Sequence, residues 1–475
     1  MSAKIIGRKQ EISKLRELYK SGKPEFIAVY GRRRVGKTFL VRETLEKEFV
    51  FDLAGLAKGT LKEQLMNFYF TLKRATTKDF PLPKSWLEAF EQLISVLQKS
   101  KKKRKVIFID EISWLDTHKS GFLTALEHFW NGWACSKRDV MLIVCGSATS
   151  WIVKNLINNH GGLYDRITAT IELFPFTLHE TELFLKSKNI VWSHYQIAEI
   201  YMIMGGIPFY LDKLEKGKSI TQNVDNVFFS KKAELKNEFK NLFSSLFDHV
   251  ENYEKFVEVL SSKRNGLTRK EILELTKMKS GNKITTILNN LEYSGFIRAY
   301  FQPTKKTEII YQLIDSFTLF YFYFMHKNNF RDEKFWTNTI NTATHNTWAG
   351  LSFEILCLLH VREIKKNLQV LGVQSSEYAW RSNNAEQNVQ IDLLLDRADN
   401  IINLCEIKYS KLPYSITKDY EEKLREKIEV FRSETSSRKA IHLLMLTTYG
   451  VKQNKYSGIV QNEITLDKLF DETDY

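Results

Sequence analysis

The stretch FIAVYGRRRVGKTFLVRETLEKEF, residues 26–49, decides the fold of the first part of the chain. The short apolar run FIAVY (26–30) reads as a buried strand, GRRRVGKT (31–38) fits the pattern G-x-x-x-x-G-K-[ST], and a helical pattern begins at Thr38. A loop of this kind has mechanical meaning only between a strand and a helix, where it stands here. Gly31 and Gly36 let the backbone turn its N–H groups inward around phosphates, and the helix N-terminus adds its positive dipole end. Arg32, Arg33, Arg34 and Val35 form the loop between the glycines. Lys37 is placed to hold the β and γ phosphates of ATP, and Thr38 to ligate Mg²⁺.

Working outward, FVFDL (49–53), VIFID (106–110), VMLIVCG (140–146) and ATIELF (169–174) are further strand candidates, separated by helical patterns. Near-continuous apolar strands alternating with helices predict a parallel sheet covered on both faces, an α/β domain over residues 1–175. In GFLTALEHFWNGW (121–133), Phe122, Leu126, Phe129 or Trp130, and Trp133 recur at helical spacing, giving the crossover after the third strand. VIFIDEISWL (106–115) delivers Asp110 and Glu111 at the end of an apolar strand, where carboxylates are costly unless used. Asp110 is expected to hold Mg²⁺ through water and Glu111 to polarise the attacking water.

The whole chain has 475 residues, so about 100–200 residues per domain predicts two to four domains. Hydrophobic residues at 43% exclude general disorder. A formal net charge of +14 favours a polyanionic partner. Cys135, Cys145, Cys357 and Cys405 show no CxxC spacing, which suits a reducing cytoplasm. The N-terminal MSAKIIGRKQ has no apolar signal core, and the longest apolar run, FTLFYFYFM (317–325), is half of what a span needs, so no membrane location is expected. KSKKKRK (99–105) is open to two readings, a nucleic-acid contact or a solvated loop.

Beyond residue 175 the pattern changes three times. Residues 176–240 read as a small helical domain, broken at GGIP (205–208). Residues 241–308 give a helix at 252–262, then GLTRKEILELT, then SGNKITTILNNLEYSGFIRAYF, where Ile284, Ile287, Leu288 and Leu291 hold the core face; three short helices and a hairpin form a winged helix-turn-helix. Lys283, Thr285, Thr286, Asn289 and Asn290 are expected to point away from the core, preceded by Arg269, Lys270, Lys277 and Lys279 and followed on the wing by Arg298, Lys305 and Lys306. Such residues read phosphates and base edges, although winged helices also dock proteins. Residues 309–345 read as an aromatic helical connector, and 346–475 resume α/β character.

These ATP-site motifs resemble the AAA+ superfamily, and within it the archaeal-type ATPases. The resemblance implies a sheet in the order 5-1-4-3-2, a helical lid and a homo-oligomer. IIGRKQEISKLREL (5–18) is similar to the family's opening box, which implies that Gly7, Arg8 and Glu11 lie near the adenine and ribose. By the same resemblance Ser147 in CGSATS (145–150) is the polar tip of the sensor-1 element, and Arg166 in GGLYDRITA (161–169) the arginine finger. A strand-end cap and a surface arginine are the plainer readings of those two residues. The GGIP segment offers no sensor-2 arginine.

In QIDLLLDRADNIINLCEIKYSK (390–411) one strand carries Asp392 and a second carries Glu406 and Lys408, which alternation puts on one face. A hairpin can bring Asp392 beside them. Two carboxylates with a lysine are what metal-assisted phosphodiester hydrolysis needs. The pattern resembles the PD-(D/E)XK nuclease core of restriction-endonuclease-like domains. That resemblance implies Glu354 in WAGLSFEILCLLHV as a further metal ligand, Mg²⁺ or Mn²⁺ at Glu354, Asp392 and Glu406, and DNA as substrate. A half-exposed hairpin with a cross-strand salt bridge is the plainer reading. The expected function is an ATPase coupled to a metal-dependent nuclease, or a nucleotide-dependent switch whose C-terminal domain binds without cutting.

Overall fold

The computed structural model describes residues 5–76, 79–159, 161–263, 265–302, 305–382 and 389–472. Two compact units divide the chain, residues 1–175 and 176–475.

The first unit contains β1 (Glu25–Tyr30), β2 (Phe49–Ala54), β3 (Lys105–Asp110), β4 (Val140–Cys145) and β5 (Ala169–Glu172). They form one sheet in the order β2-β3-β4-β1-β5, with every neighbouring pair parallel. Read from the other edge, this is 5-1-4-3-2. β4 is buried at every position and β1 at all but Tyr30, because helices cover both faces and leave no reason for alternation. The helices Leu61–Ala75, Trp86–Lys99 and Phe122–Gly132 pack one shared apolar cluster with this sheet. Thr60 and Glu63 close a reciprocal capping box at the first, and the Ser85 side chain caps the second. Phe122, Leu126, Phe129 and Trp130 are buried as their spacing requires, and the Phe90 and Phe129 rings stack at 5.1 Å.

Half of the basic residues in the run 99–105 are committed to this unit. Lys102 donates to the carbonyls of Lys47 (2.6 Å) and Phe49 (2.9 Å), Arg104 to those of Leu18 and Arg138, and Lys105 pairs with Asp139 at 2.5 Å. Lys99, Lys101 and Lys103 are exposed, so both readings of the run stay open.

In the second unit, helices Leu178–Ser187 and His194–Met204 begin with capping boxes, and Gly205 (φ 65°) ends the second. A Cβ on Gly206 (φ 65°) would meet the Phe176 carbonyl oxygen at 2.3 Å, so this close approach requires glycine. Helices Val250–Ser261, Arg269–Thr276 and Asn282–Tyr293 follow, with β6 (Leu267–Thr268) between the first two. β7 (Ile297–Gln302) and β8 (Lys305–Leu313) complete an antiparallel sheet in the order β6-β8-β7. Ile284, Ile287, Leu288 and Leu291 are buried.

One boundary differs from the sequence reading. Residues 309–313 belong to β8 rather than to a helical connector, since Ile309, Ile310 and Tyr311 pair with Phe301, Tyr300 and Ala299. The helical stretch begins at Ser316, and Phe317, Phe320 and Phe324 within it are buried. Among the described residues no helix is long and apolar enough to cross a membrane.

The chain then forms the helix Ala343–Leu359, the helix Val361–Asn367, β9 (Ser375–Arg381), β10 (Gln390–Arg397), β11 (Ile401–Lys408), the helix Lys418–Thr435, β12 (Ala440–Thr447) and β13 (Asn462–Thr465). The sheet order is β13-β12-β11-β10-β9; β9, β10 and β11 are antiparallel neighbours, while β11, β12 and β13 are parallel.

Candidate functional site

The loop after β1 is built around two glycines that no other residue replaces easily. Gly31 (φ 132°) lies so close to Leu173 that a Cβ would sit 2.3 Å from its carbonyl oxygen. Gly36 (φ 93°) caps the helix Lys37–Leu45. Arg34 also takes a positive φ of 73°, and Val35 between them is buried. Successive backbone amides at a helix start make an anion cradle, and this helix carries no acid in its first turn to oppose one. Arg33 lies 6.0 Å from the Trp114 ring centroid, and Arg32 is buried.

Lys37 Nζ, buried, donates to the carbonyls of Gly31 and Arg32, both at 2.9 Å. Burial pulls its pKa below the usual lysine value, against the attraction of Glu111 and Asp110. Thr38 Oγ1 donates to Asp110 Oδ2 at 2.7 Å, and the Glu111 N–H donates to Asp110 Oδ1 at 2.9 Å. Although the sequence separates them by 72 positions, the two residues expected at a magnesium ion therefore touch.

Glu111 sits at φ 45°, in the left-handed region that few non-glycine residues adopt. Its carboxylate accepts from Ser147 twice, from the backbone N–H at 3.2 Å and from the hydroxyl at 3.0 Å. Ser147 lies just past β4, and β4 lies between β1 and β3, so the sheet order itself brings the acid and the serine together. Arg8 is buried, and its guanidinium donates to the carbonyls of Phe174 (2.6 Å) and Val35 (3.4 Å), bracing the phosphate loop, with Glu11 at 3.6 Å. Gly7 next to it has φ 67°.

Arg166 is exposed and joins none of these contacts; its guanidinium has no hydrogen bond or ion pair among the described residues. Asn131, which sequence reasoning missed, donates to the Gly162 carbonyl at 2.8 Å and tethers the segment that carries Arg166.

The candidate site of the second unit is arranged differently. Lys408 Nζ meets Glu406 at 2.7 Å, on the shared face that alternation gives. Lys427, from the helix Lys418–Thr435, meets the other oxygen at 2.8 Å, and the Tyr420 hydroxyl donates to Glu406 as well. Burial would raise the carboxyl pKa, but Lys427 and Lys408 hold it down to about 2. Lys427 and Tyr420 were not found from sequence; their only signal is that they sit seven residues apart on one helix.

Asp392 instead lines a small cavity with Glu354 of the helix Ala343–Leu359. Among the described residues no group of three or more His, Cys, Asp or Glu is placed to hold a metal ion. Of the three residues expected at one metal, Glu354 and Asp392 share this cavity, while Glu406 is held by Lys408, Lys427 and Tyr420. β10 loses register against β9 between Ile391 and Leu394, and both of these enter the apolar cluster that includes Leu424 and Phe431. Such an irregularity breaks simple alternation at Asp392.

On the Asn282–Tyr293 helix, Lys283, Thr285, Thr286 and Asn289 are exposed, as are Lys270, Lys277 and Lys279 before it. Asn290 departs from expectation, donating to the Tyr253 hydroxyl at 2.8 Å, and Arg269 is bound to Thr285 (2.7 Å) and the Gly281 carbonyl (3.1 Å). Arg298 turns inward to Gln312 rather than outward on the wing. The side chains of Lys305 and Lys306 lie outside the described residues.

A parallel 5-1-4-3-2 sheet with a glycine cradle after β1, a buried lysine at its mouth and an acidic pair at the end of β3 defines a P-loop nucleotide-binding domain. Residues 5–214 match the family described as an ATPase domain predominantly from Archaea. The match supports an ATP-binding ATPase domain in this part of the chain. An uncharacterized protein of Methanocaldococcus jannaschii is 27% identical over 371 residues, 76% of this chain and 78% of that protein. An uncharacterized ATP-binding protein of the same organism is 42% identical over 44 residues, 9% of this chain and 75% of that protein. Among solved structures, the Walker-type ATPase PABY2304 of Pyrococcus abyssi aligns with 67% of this chain and 96% of its own, at 18% identity and a TM-score of 0.49.

Proposed function

We propose that the protein is an AAA+-type ATPase that hydrolyses ATP and acts on DNA, with a C-terminal domain that binds nucleic acid or protein without cutting it. The observation that carries the ATPase reading is the contact of Thr38 with Asp110 at 2.7 Å beside the Glu111–Ser147 pair. Thr38 and Asp110 fit a Mg²⁺ ion, which when bound would neutralise phosphate charge. Lys37 exchanges its two loop carbonyls for phosphate oxygens, and Ser147 orients Glu111, the acid that would polarise water. The test is ATP turnover by the parent chain and by Glu111→Gln. Absence of turnover in the parent removes the hydrolysis claim.

Exposed Lys277, Lys279 and Lys283 with Thr286 and Asn289 support DNA contact by the three-helix and hairpin segment, read as a winged helix. Exposed Arg166 supports action in trans within a homo-oligomer, which predicts a turnover rate per chain that rises with protein concentration.

A nuclease remains the second reading because Glu406 and Lys408 share a face of β11. Two lysines and a tyrosine occupy the Glu406 carboxylate while Asp392 lines a cavity with Glu354, an arrangement that does not fit one divalent metal held by all three acids. Supercoiled DNA with Mg²⁺ or Mn²⁺ is therefore expected to stay intact; cleavage by the parent that disappears in Glu406→Gln restores the nuclease reading.

A further inference from the structure

Arg298 on β7 lines an open groove of about 690 Å³ together with Arg362 and Lys365, on the helix Val361–Asn367, and Glu377 of β9. Its Nε donates to Gln312 Oε1 at 2.8 Å, and its guanidinium lies 4.7 Å from the Tyr300 ring centroid. Its Nη2 is buried with no hydrogen-bond partner among the described residues. A buried donor left unmet is costly, and burial pulls this arginine's pKa down to about 10. Arg362 and Lys365 stand three residues apart on one helix and both face the same groove.

Glu377 is the one carboxylate lining the groove, and it is already engaged by Lys365 Nζ at 3.4 Å and the Ser375 hydroxyl at 2.8 Å. Among the described residues that line the groove, three are cationic and one is acidic. Leu358 and Leu371 add apolar wall. Guanidinium forks match phosphate oxygens, and a groove of a few hundred Å³ with apolar walls and convergent polar groups takes a small ligand rather than an ion alone.

We propose that this groove is a phosphate-binding site that takes a nucleotide-sized phosphate ester, with Arg298 Nη2, Arg362 and Lys365 holding the phosphate and Leu358 and Leu371 bordering the remainder. The site is separate from the phosphate loop and from the exposed lysines of the Asn282–Tyr293 helix. A free mononucleotide and the terminal phosphate of a nucleic-acid strand offer the same chemistry.

The test uses the full chain and a 5′-phosphorylated, 3′-fluorescein-labelled tetrathymidylate read by anisotropy, with CMP as competitor. The parent is expected to bind the probe. Arg362→Gln combined with Lys365→Gln, both on a half-exposed helix face that tolerates the change, is expected to weaken binding about tenfold or more. Arg298→Lys, which keeps the charge and loses the fork, is expected to weaken it less. Lys37→Ala and Lys283→Ala are expected to leave it unchanged, which separates this site from the ATP site and from the proposed DNA-facing helix. Displacement by CMP assigns the site to free nucleotides, and retention of the probe against CMP assigns it to strand ends. No binding by the parent, equal binding by the Arg362/Lys365 variant, or loss only in Lys37→Ala or Lys283→Ala overturns the proposal.

Discussion

β3 and β11 are both buried apolar strands that present a carboxylate near their C-terminal ends, yet their acids are met in opposite ways. Asp110 accepts from a neutral hydroxyl, Thr38, and from a backbone amide, so its charge stays available to a cation. Glu406 is enclosed by Lys408, Lys427 and Tyr420, which use up its charge within the fold. On the function proposed above, an acid at a strand end is a functional group in one unit and a structural one in the other. The partners decide this: the helix Lys37–Leu45 supplies Thr38 to the first, while the Lys418–Thr435 helix supplies Lys427 and Tyr420 to the second, beside Lys408 of β11 itself.

The largest expected effect breaks the comparison on the ATPase side. Glu111→Gln should lower ATP turnover by about a hundredfold, while equilibrium binding of a fluorescent ATP analogue holds. Next, Glu406→Leu should destabilise the chain by about 2–3 kcal/mol in urea unfolding, discounted because Lys408 and Lys427 keep some solvent contact. Unchanged stability would mean that the two lysines do not depend on this carboxylate.

A third test sharpens the contrast inside the second unit. At Glu199, on the helix His194–Met204, burial wins over the attraction of Lys411 and lifts the carboxyl from 4.5 to about 7, whereas at Glu406 the lysines win. The signs follow from linkage. Glu199 contributes stability that is full below pH 4.5 and is lost as pH rises through about 7. Glu406 contributes stability that is present above pH 4.5 and is lost as pH falls toward about 2. Glu199→Gln should therefore raise the melting temperature at pH 8, by an amount corresponding to on the order of 2 kcal/mol, and change little at pH 4. The smallest expected effect is that of Ser147→Ala, about tenfold on turnover, because Glu111 loses its hydroxyl partner but keeps the amide donor.

The first unit was legible because its signals are local. β1, β3 and β4 are continuous apolar runs, the glycine loop stands directly after β1, and Asp110–Glu111 directly ends β3. The Glu111–Ser147 contact was not written in spacing; it follows from the strand order, which a resemblance supplied. Less of the second unit could be read. QIDLLLD has three successive buried leucines, so no two-residue period marks the irregularity at Asp392. The partners of Glu406 are 14 and 21 positions away on a helix whose docking no local pattern encodes. Arg298 read as a wing arginine because strand position alone does not tell whether a long cationic side chain meets solvent or folds back on Gln312.

The most direct measurement is the affinity of the full chain for ATP in the presence of Mg²⁺, by calorimetry, beside that of Lys37→Ala. Saturable binding at one site that weakens at least about tenfold in the variant is the expected result. Equal affinity of the two proteins, or no binding by either, would contradict a phosphate grip built from the loop between β1 and its helix.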